Sequence, residues 1–200
     1  GLLVIVFFVS FGGYLQERMF ISKYSQEKDF WFVYESIKEN REFIKKNPKN
    51  NIAYYSLGQG YYGLKAYDEA IDALMKAAKI TPNNADYWLF LARVYQAKKD
   101  YSKAKGSYFE VLRINPDAPQ TYIQLAWLYY FRLDTEKDKA FEVLKSGLQR
   151  FPEDKDILFD ITRFYLYDEN KEEFLKFAPR YLKLDTENAT IKPKYLEWKK

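Results

Sequence analysis

The sequence predicts an all-α protein: a ladder of antiparallel helical hairpins preceded by a transmembrane helix. Three observations carry that prediction. Prolines recur as Pro48, Pro82, Pro116 and Pro152, spaced 34, 34 and 36 residues apart. Between them, apolar and aromatic residues return at intervals of three and four, the period of one helix face. The opening stretch, GLLVIVFFVSFGGYL (residues 1–15), carries no charge.

Composition narrows the chemistry. The chain has 200 residues, a net charge of +4, and acidic and basic side chains interleaved throughout. No basic block is concentrated enough to neutralise a run of phosphates, so nucleic acid is not an expected partner. With neither cysteine nor histidine, the chain lacks thiolate nucleophiles, zinc sites built on nitrogen or sulfur, and every His-based triad. No cofactor, metal or small-molecule substrate is implied, and the expectation is a protein that is not an enzyme. The aromatic share is 20%, with 19 tyrosines and 16 phenylalanines. That exceeds what a small core needs and points to rings facing a protein partner.

Residues 1–22 are read as a transmembrane anchor in contact with the lipid bilayer. As a helix, residues 1–15 would reach only about 20–22 Å against a hydrocarbon thickness of roughly 30 Å. Because the chain starts at Gly rather than Met, the rest of a span is expected upstream. A signal-peptide core would be cleaved. A buried core helix would show a polar edge, and here only Ser10 and glycines interrupt the apolar run. The following flank, QERMFISKYSQEKDFW, is of mixed charge and does not orient the span. Residues 23–50 are read as a juxtamembrane helix, in which DFWFVYESIKENREFIKK (Asp29 to Lys46) forms the second helix of an incomplete unit. Its rings Phe30, Trp31, Phe32 and Tyr34 have two readings, a belt beside the membrane or a cover for the end of the ladder. The second is favoured.

The units follow at residues 51–84, 85–118 and 119–154. Tyr54, Leu57, Gly58 and Tyr61 of the first become Trp88, Leu91, Ala92 and Tyr95 in the second. In the third they become Tyr122, Leu125, Ala126 and Tyr129. Ala70, Ala104 and Ala140 correspond, then Leu74, Tyr108 and Leu144, then Ala77, Val111 and Gly147. A small residue within the first helix lets its partner helix approach, and proline ends the second helix because it pushes the preceding residue out of the α region. One such pair cannot bury its apolar face alone, so units must stack. The third carries extra residues within YFRLDTEKDKA. A degenerate fourth, 155–188, keeps Leu158, Ile161, Thr162, Tyr165 and Phe174 but has Thr186 where proline is expected. The tail, 189–200, reads as a capping helix or the opening of another repeat.

This pattern resembles the tetratricopeptide repeat (TPR) family, over roughly Asn51 to Asn188. The resemblance also settles SLGQGYYG (Ser56 to Gly63), which contains the string G-x-G-x-x-G of dinucleotide-binding turns. That motif needs a strand before it and a helix opened by it. Here Gly58, Gly60 and Gly63 all fall inside one helix, and Gly58 occupies the small packing position. The string is a coincidence.

The resemblance implies a solenoid whose first helices line a concave surface. Setting aside the packing positions leaves Tyr55, Gln59 and Tyr62 in the first unit and Leu89, Arg93 and Gln96 in the second. The third gives Ile123, Trp127 and Tyr130, and the fourth gives Phe159, Arg163 and Leu166. Tyr, Trp and Arg are enriched at binding hot spots, so this face is expected to bind a protein segment. The opposing possibilities are that the solenoid coils tightly, or that terminal helices fold back and fill it. A subclass of the family clamps chaperone C-termini with lysine and asparagine, but Tyr55, Gln59 and Phe90 stand at those positions. The acidic clusters Asp134, Glu136, Asp138 and Asp168, Glu169, Glu172, Glu173 are interleaved with lysines and read as solvated turns. The expected function is a membrane-anchored interaction scaffold or assembly subunit of a larger membrane complex. The alternative is a transient adaptor or chaperone-like factor delivering clients at the membrane. An uncleaved span before such repeats suggests a bacterial inner membrane with the repeats in the periplasm.

Overall fold

The computed structural model describes residues 13, 15–27 and 29–200. The uncharged segment 1–12, which carries most of the expected anchor, lies outside the described residues. No helix among those described is long and apolar enough to cross a membrane. The described residues form helices and turns, with no strand among them. They divide into two compact units, Gly1–Lys99 and Asp100–Lys200. The division falls inside the second predicted repeat, between its two helices.

The first unit holds α1 (residues 15–24), α2 (Phe30–Lys46), α3 (Asn51–Gly63), α4 (Tyr67–Ile80) and α5 (Ala85–Ala97). Its helices begin where the sequence supplies a cap. Asn50 Oδ1 accepts from the Ala53 N–H at 2.8 Å, and Asn84 Oδ1 accepts from Asp86 at 2.9 Å, each satisfying a donor that the first turn leaves orphaned. Asn47 and Thr81, the residues before Pro48 and Pro82, both sit at φ −132, outside the helical region, as the proline ring demands. The α3–α4 turn passes through Lys65 in the left-handed region, φ 58. There the Ala66 N–H returns to Tyr61 O and the Lys65 N–H to Tyr62 O, both at 2.9 Å, a Schellman closure without its customary glycine.

Gly58 and Gly60 have packing reasons. A Cβ on Gly58 would stand 2.6 Å from Leu74 Cγ on α4, and one on Gly60 would stand 2.9 Å from Ile37 Cγ1 on α2. Gly63 meets nothing within 4 Å. The glycine string therefore records α3 being pressed from two sides.

Helix α1 runs across the boundary expected at residue 22 between anchor and juxtamembrane helix. Residues 15–22 belong to a helix that packs on the first unit. Phe20 lies 6.2 Å from Tyr34 and meets Tyr61 edge-on at 5.7 Å. Tyr34 donates its hydroxyl proton to Glu17, and burial together with that carboxylate pushes the phenol up to about 12. The four rings at the start of α2 are also divided. Phe30 and Tyr34 are buried, as a cover for the ladder's end requires, whereas Trp31 and Phe32 are exposed.

The second unit holds α6 (Tyr101–Ile114), α7 (Pro119–Arg132), a 3-10 turn at Asp134–Glu136, α8 (Lys139–Arg150), α9 (Lys155–Tyr167), α10 (Lys171–Leu182) and α11 (Ile191–Trp198). Asp100, Asp154 and Asn170 cap α6, α9 and α10, and Pro119 takes the first position of α7. The extra residues of the third repeat are the 3-10 turn. The fourth repeat lacks its proline, and buried Tyr181 holds the chain reversal instead. Its hydroxyl donates to Asp185 Oδ2 and accepts from Asn188 Nδ2, both at 2.8 Å. The tail helix α11 packs on α10, with Ile191 buried and Trp198 edge-on to Phe174 at 5.0 Å.

Candidate functional site

The candidate face falls into two sets, one on each unit. In the first unit the face is built on α3 and α5. Tyr55 packs against Tyr87 at 5.1 Å and Phe90 at 5.7 Å, and Tyr62 meets Phe90 edge-on at 5.3 Å. Phe90 thus stitches the two helices together between the tyrosines. Tyr55, Tyr62, Leu89 and Gln96 are half-buried, whereas Gln59 and Arg93 are exposed. Arg93 lies within electrostatic reach of Tyr55 but makes no ion pair or hydrogen bond among the described residues. An uncompensated guanidinium beside tyrosine rings is chemically unfinished.

In the second unit the face is built on α7 and α9, and hydrogen bonds replace rings as the stitching. Gln120 Nε2 donates to Asp156 at 3.3 Å, Trp127 Nε1 donates to Asp160 at 2.7 Å, and the Tyr130 hydroxyl donates to Asp168 at 2.6 Å. Asp160, at the repeat position held by Phe90 in the first unit, is buried and also pairs with Arg163. Burial pushes the Asp160 carboxyl above its ordinary value, opposed by the Trp127 indole and the Arg163 guanidinium. The guanidinium of Arg163 lies 4.6 Å from the Trp127 ring centre and 4.8 Å from that of Phe159, with Tyr167 at 5.9 Å. Arg163 Nε and Gln124 Oε1, both buried, have no partner among the described residues. Such groups cost about 1–3 kcal/mol each.

Two of the sequence-predicted contacts are corrected. Ile123 is only 9% exposed and Tyr130 only 7%. Tyr130 stacks on Phe164 of α9 at 4.0 Å and 18°, and Lys137 sits over its ring at 4.2 Å. Both residues lie on the predicted helix face; for Tyr130 it is Phe164 of the neighbouring helix that covers it. Trp127 remains 38% exposed, while Phe159, Arg163 and Leu166 are half-buried. The sequence reasoning missed Phe131 and Tyr167, both exposed. Each lies four residues beyond a chosen position, Trp127 or Arg163, and that spacing was the signal that could have found them.

No group of three Asp or Glu side chains among the described residues is arranged to hold a metal ion. Several members of the acidic clusters are held in ion pairs: Glu136 bridges Lys105 and Lys139, both at 2.7 Å, and Asp168 pairs with Lys137.

Two family models described as tetratricopeptide repeat match the chain, one over residues 36–85 and one over residues 61–120. That stretch carries tetratricopeptide repeats, and no catalytic family is indicated. Among curated proteins nothing matches. Solved structures share the fold at low sequence identity. A crystal structure of MamA protein is 17% identical with a TM-score of 0.64, covering 86% of this chain and 93% of that one. A MamA structure from Desulfovibrio magneticus RS-1 is 16% identical with a TM-score of 0.61, covering 86% and 95%. YrrB, described as a TPR protein with an unusual peptide-binding site, is 16% identical with a TM-score of 0.62, covering 88% and 90%.

Proposed function

We propose that this protein is a membrane-anchored interaction scaffold, an assembly subunit of a larger membrane complex that grips partner segments with the first-helix faces of its repeats. The observation that carries the binding role is the unfinished chemistry of those faces. One unit leaves Arg93 exposed without an acidic partner among the described residues, and the other leaves Trp127 and Tyr167 exposed around a guanidinium, with exposed Phe131 against Trp127. Exposed rings beside arginine supply apolar area and charge-assisted hydrogen bonds together, the combination found at hot spots. The peptide-binding site in the name of YrrB supports the same reading by analogy of fold. The anchor rests on residues 1–12, which carry no charge and lead directly into α1. We place the repeats on the periplasmic side of a bacterial inner membrane, by association of an uncleaved span with such arrays.

The test starts from detergent extraction and co-purification. A constitutive subunit comes through with its partners in fixed ratio, whereas a transient adaptor is lost on washing with salt. Partner capture is then compared for Arg93→Ala and Trp127→Phe. Arg93→Ala removes an exposed cation, and Trp127→Phe trims the exposed indole to a smaller ring, giving up its internal bond to Asp160 as well. Each is expected to weaken capture about tenfold in a chain that melts cooperatively. Undiminished capture by both variants rejects the first-helix faces as the binding surface.

A further inference from the structure

Arg93 on α5 has a counterpart in the second unit that shows how this chain satisfies such a group. Arg163 holds the same repeat position on α9. A carboxylate three residues back, Asp160, pairs with it, and its guanidinium lies 4.6 Å from the Trp127 ring centre. Three residues before Arg93 stands Phe90, whose ring packs between Tyr55 and Tyr62. The first unit thus keeps a bed of rings beside its arginine and omits the carboxylate.

Nothing around Arg93 makes up for that omission. The other charged residue of α5, Asp86, lies seven positions earlier. That is about 10 Å along the helix, a full screening length at 0.1 M salt. No Asp or Glu among the described residues comes within ion-pairing distance of Arg93, and residues 1–12, 14 and 28 include neither. Three donors gather instead. Burial, with Asp86, holds the Tyr55 phenol above its ordinary value, and the Arg93 guanidinium and the Gln59 amide oppose them from close by. Gln59 and Arg93 are both exposed. A carboxylate accepts from hydroxyl, amide and guanidinium alike. Along α3, Gln59 comes four residues after Tyr55 and three before Tyr62, so a ring lies on either side of it at about 4.5–6 Å. A chain that ended there would use one ring, whereas a chain passing through uses both.

We propose that the Tyr55–Gln59–Arg93 cluster is the seat of an acidic side chain within an extended partner segment. Apolar residues two places to either side of that acid lie on the tyrosine rings, since two residues of extended chain span about 7 Å. The partner supplies to Arg93 the carboxylate that Asp160 supplies to Arg163. This rests on the first-helix faces being the binding surface, and adds the chemistry of the segment that the α3–α5 face selects.

The probes are fluorescent nonapeptides with both ends blocked, titrated into the full chain. Each has leucine two places to either side of a central aspartate, asparagine or lysine. The aspartate peptide is expected to bind about three- to tenfold more tightly than the asparagine peptide, and the lysine peptide most weakly. Arg93→Gln is expected to abolish the difference, and Arg93→Glu to reverse the order so that the lysine peptide binds best. Both change an exposed side chain, and a reversed order does not arise from lost stability. A fourth peptide has asparagine at its centre and a free C-terminal carboxylate. If it binds as tightly as the aspartate peptide, the seat belongs to a chain end and the proposal is overturned. Failure of all four to bind, or an order unmoved by Arg93→Glu, overturns it too. Equal binding of the aspartate and asparagine peptides that still drops with Tyr62→Ala overturns the acidic seat alone and leaves the first-helix face as a binding surface. Equal binding indifferent to Tyr62→Ala removes that surface as well.

Discussion

Arginine occupies the same repeat position at 93 and 163, and its neighbour three residues back decides what it does. Behind Arg163 stands Asp160, buried and bonded to both the guanidinium and Trp127. Behind Arg93 stands Phe90, engaged with Tyr55 and Tyr62. The same side chain is neutralised in place in one unit and left to seek an anion in the other. This makes Asp160 a titration probe. Ordinary aspartate has a value of 3.8, and burial raises that of Asp160 in the folded chain. Between the two values the folded state keeps a proton that the unfolded chain has lost. Stability therefore falls as pH rises through that window and levels off above it. Asp160→Asn removes this dependence, so its Tm relative to the parent is expected to climb from about pH 4 upward and then flatten. Parallel curves would show that Asp160 does not titrate differently in the fold. Spacing alone placed Arg93, Trp127 and Arg163 on the open face, because the helical period fixes direction. It could not foresee that Phe164 covers Tyr130, since that depends on how closely α9 lies against α7.

The helices were legible where a local rule governs them. Pro48, Pro82, Pro116 and Pro152 announce stops, whereas the starts capped by Asn50, Asn84, Asp100 and Asp154 came to light in the structure. The rings at the head of two repeats even fasten the preceding turn: Trp88 Nε1 donates to Pro82 O and the Tyr122 hydroxyl to Pro116 O, both at 3.1 Å. Hidden in the sequence was α1, whose Phe20 and Tyr24 sit within the flank of mixed charge that follows the uncharged run, with no repeat to align against. Glycine substitutions separate packing from propensity. Gly106 lies inside α6 with nothing within 4 Å of its Cβ position, so Gly106→Ala is expected to stabilise by about 0.5–1 kcal/mol. Gly58→Ala gains the same propensity but drives a methyl into Leu74, and is expected to destabilise by about 1–2 kcal/mol net. Chemical denaturation of the two variants side by side checks both signs. A stabilised Gly58→Ala would mean that Leu74 moves aside freely.

At the scale of the whole molecule, the repeat period is blind to where one compact unit stops. The alignment runs through the second repeat without a break, yet the division falls between Lys99 and Asp100. Lys99 is itself in the left-handed region, φ 65, where a residue with a side chain is under strain. Such a boundary predicts that residues 100–200, produced alone, fold into a helical body that melts cooperatively by circular dichroism. A shallow, non-cooperative melt would show that the second unit depends on the first. The repeat pattern, by contrast, was readable across that boundary, because stacking hairpins impose the same packing demand on each unit, 34 residues apart over the first three prolines.

The seat of α1 has a mechanical consequence. Whatever holds residues 1–12 holds the rest of the chain through α1, so a tug from that end loads the Phe20–Tyr61 contact and the Glu17–Tyr34 bond before any repeat is stretched. Those two contacts act as a fuse: under load they part first and lay bare Tyr54, Leu57 and Tyr61, while the hairpins behind them stay whole.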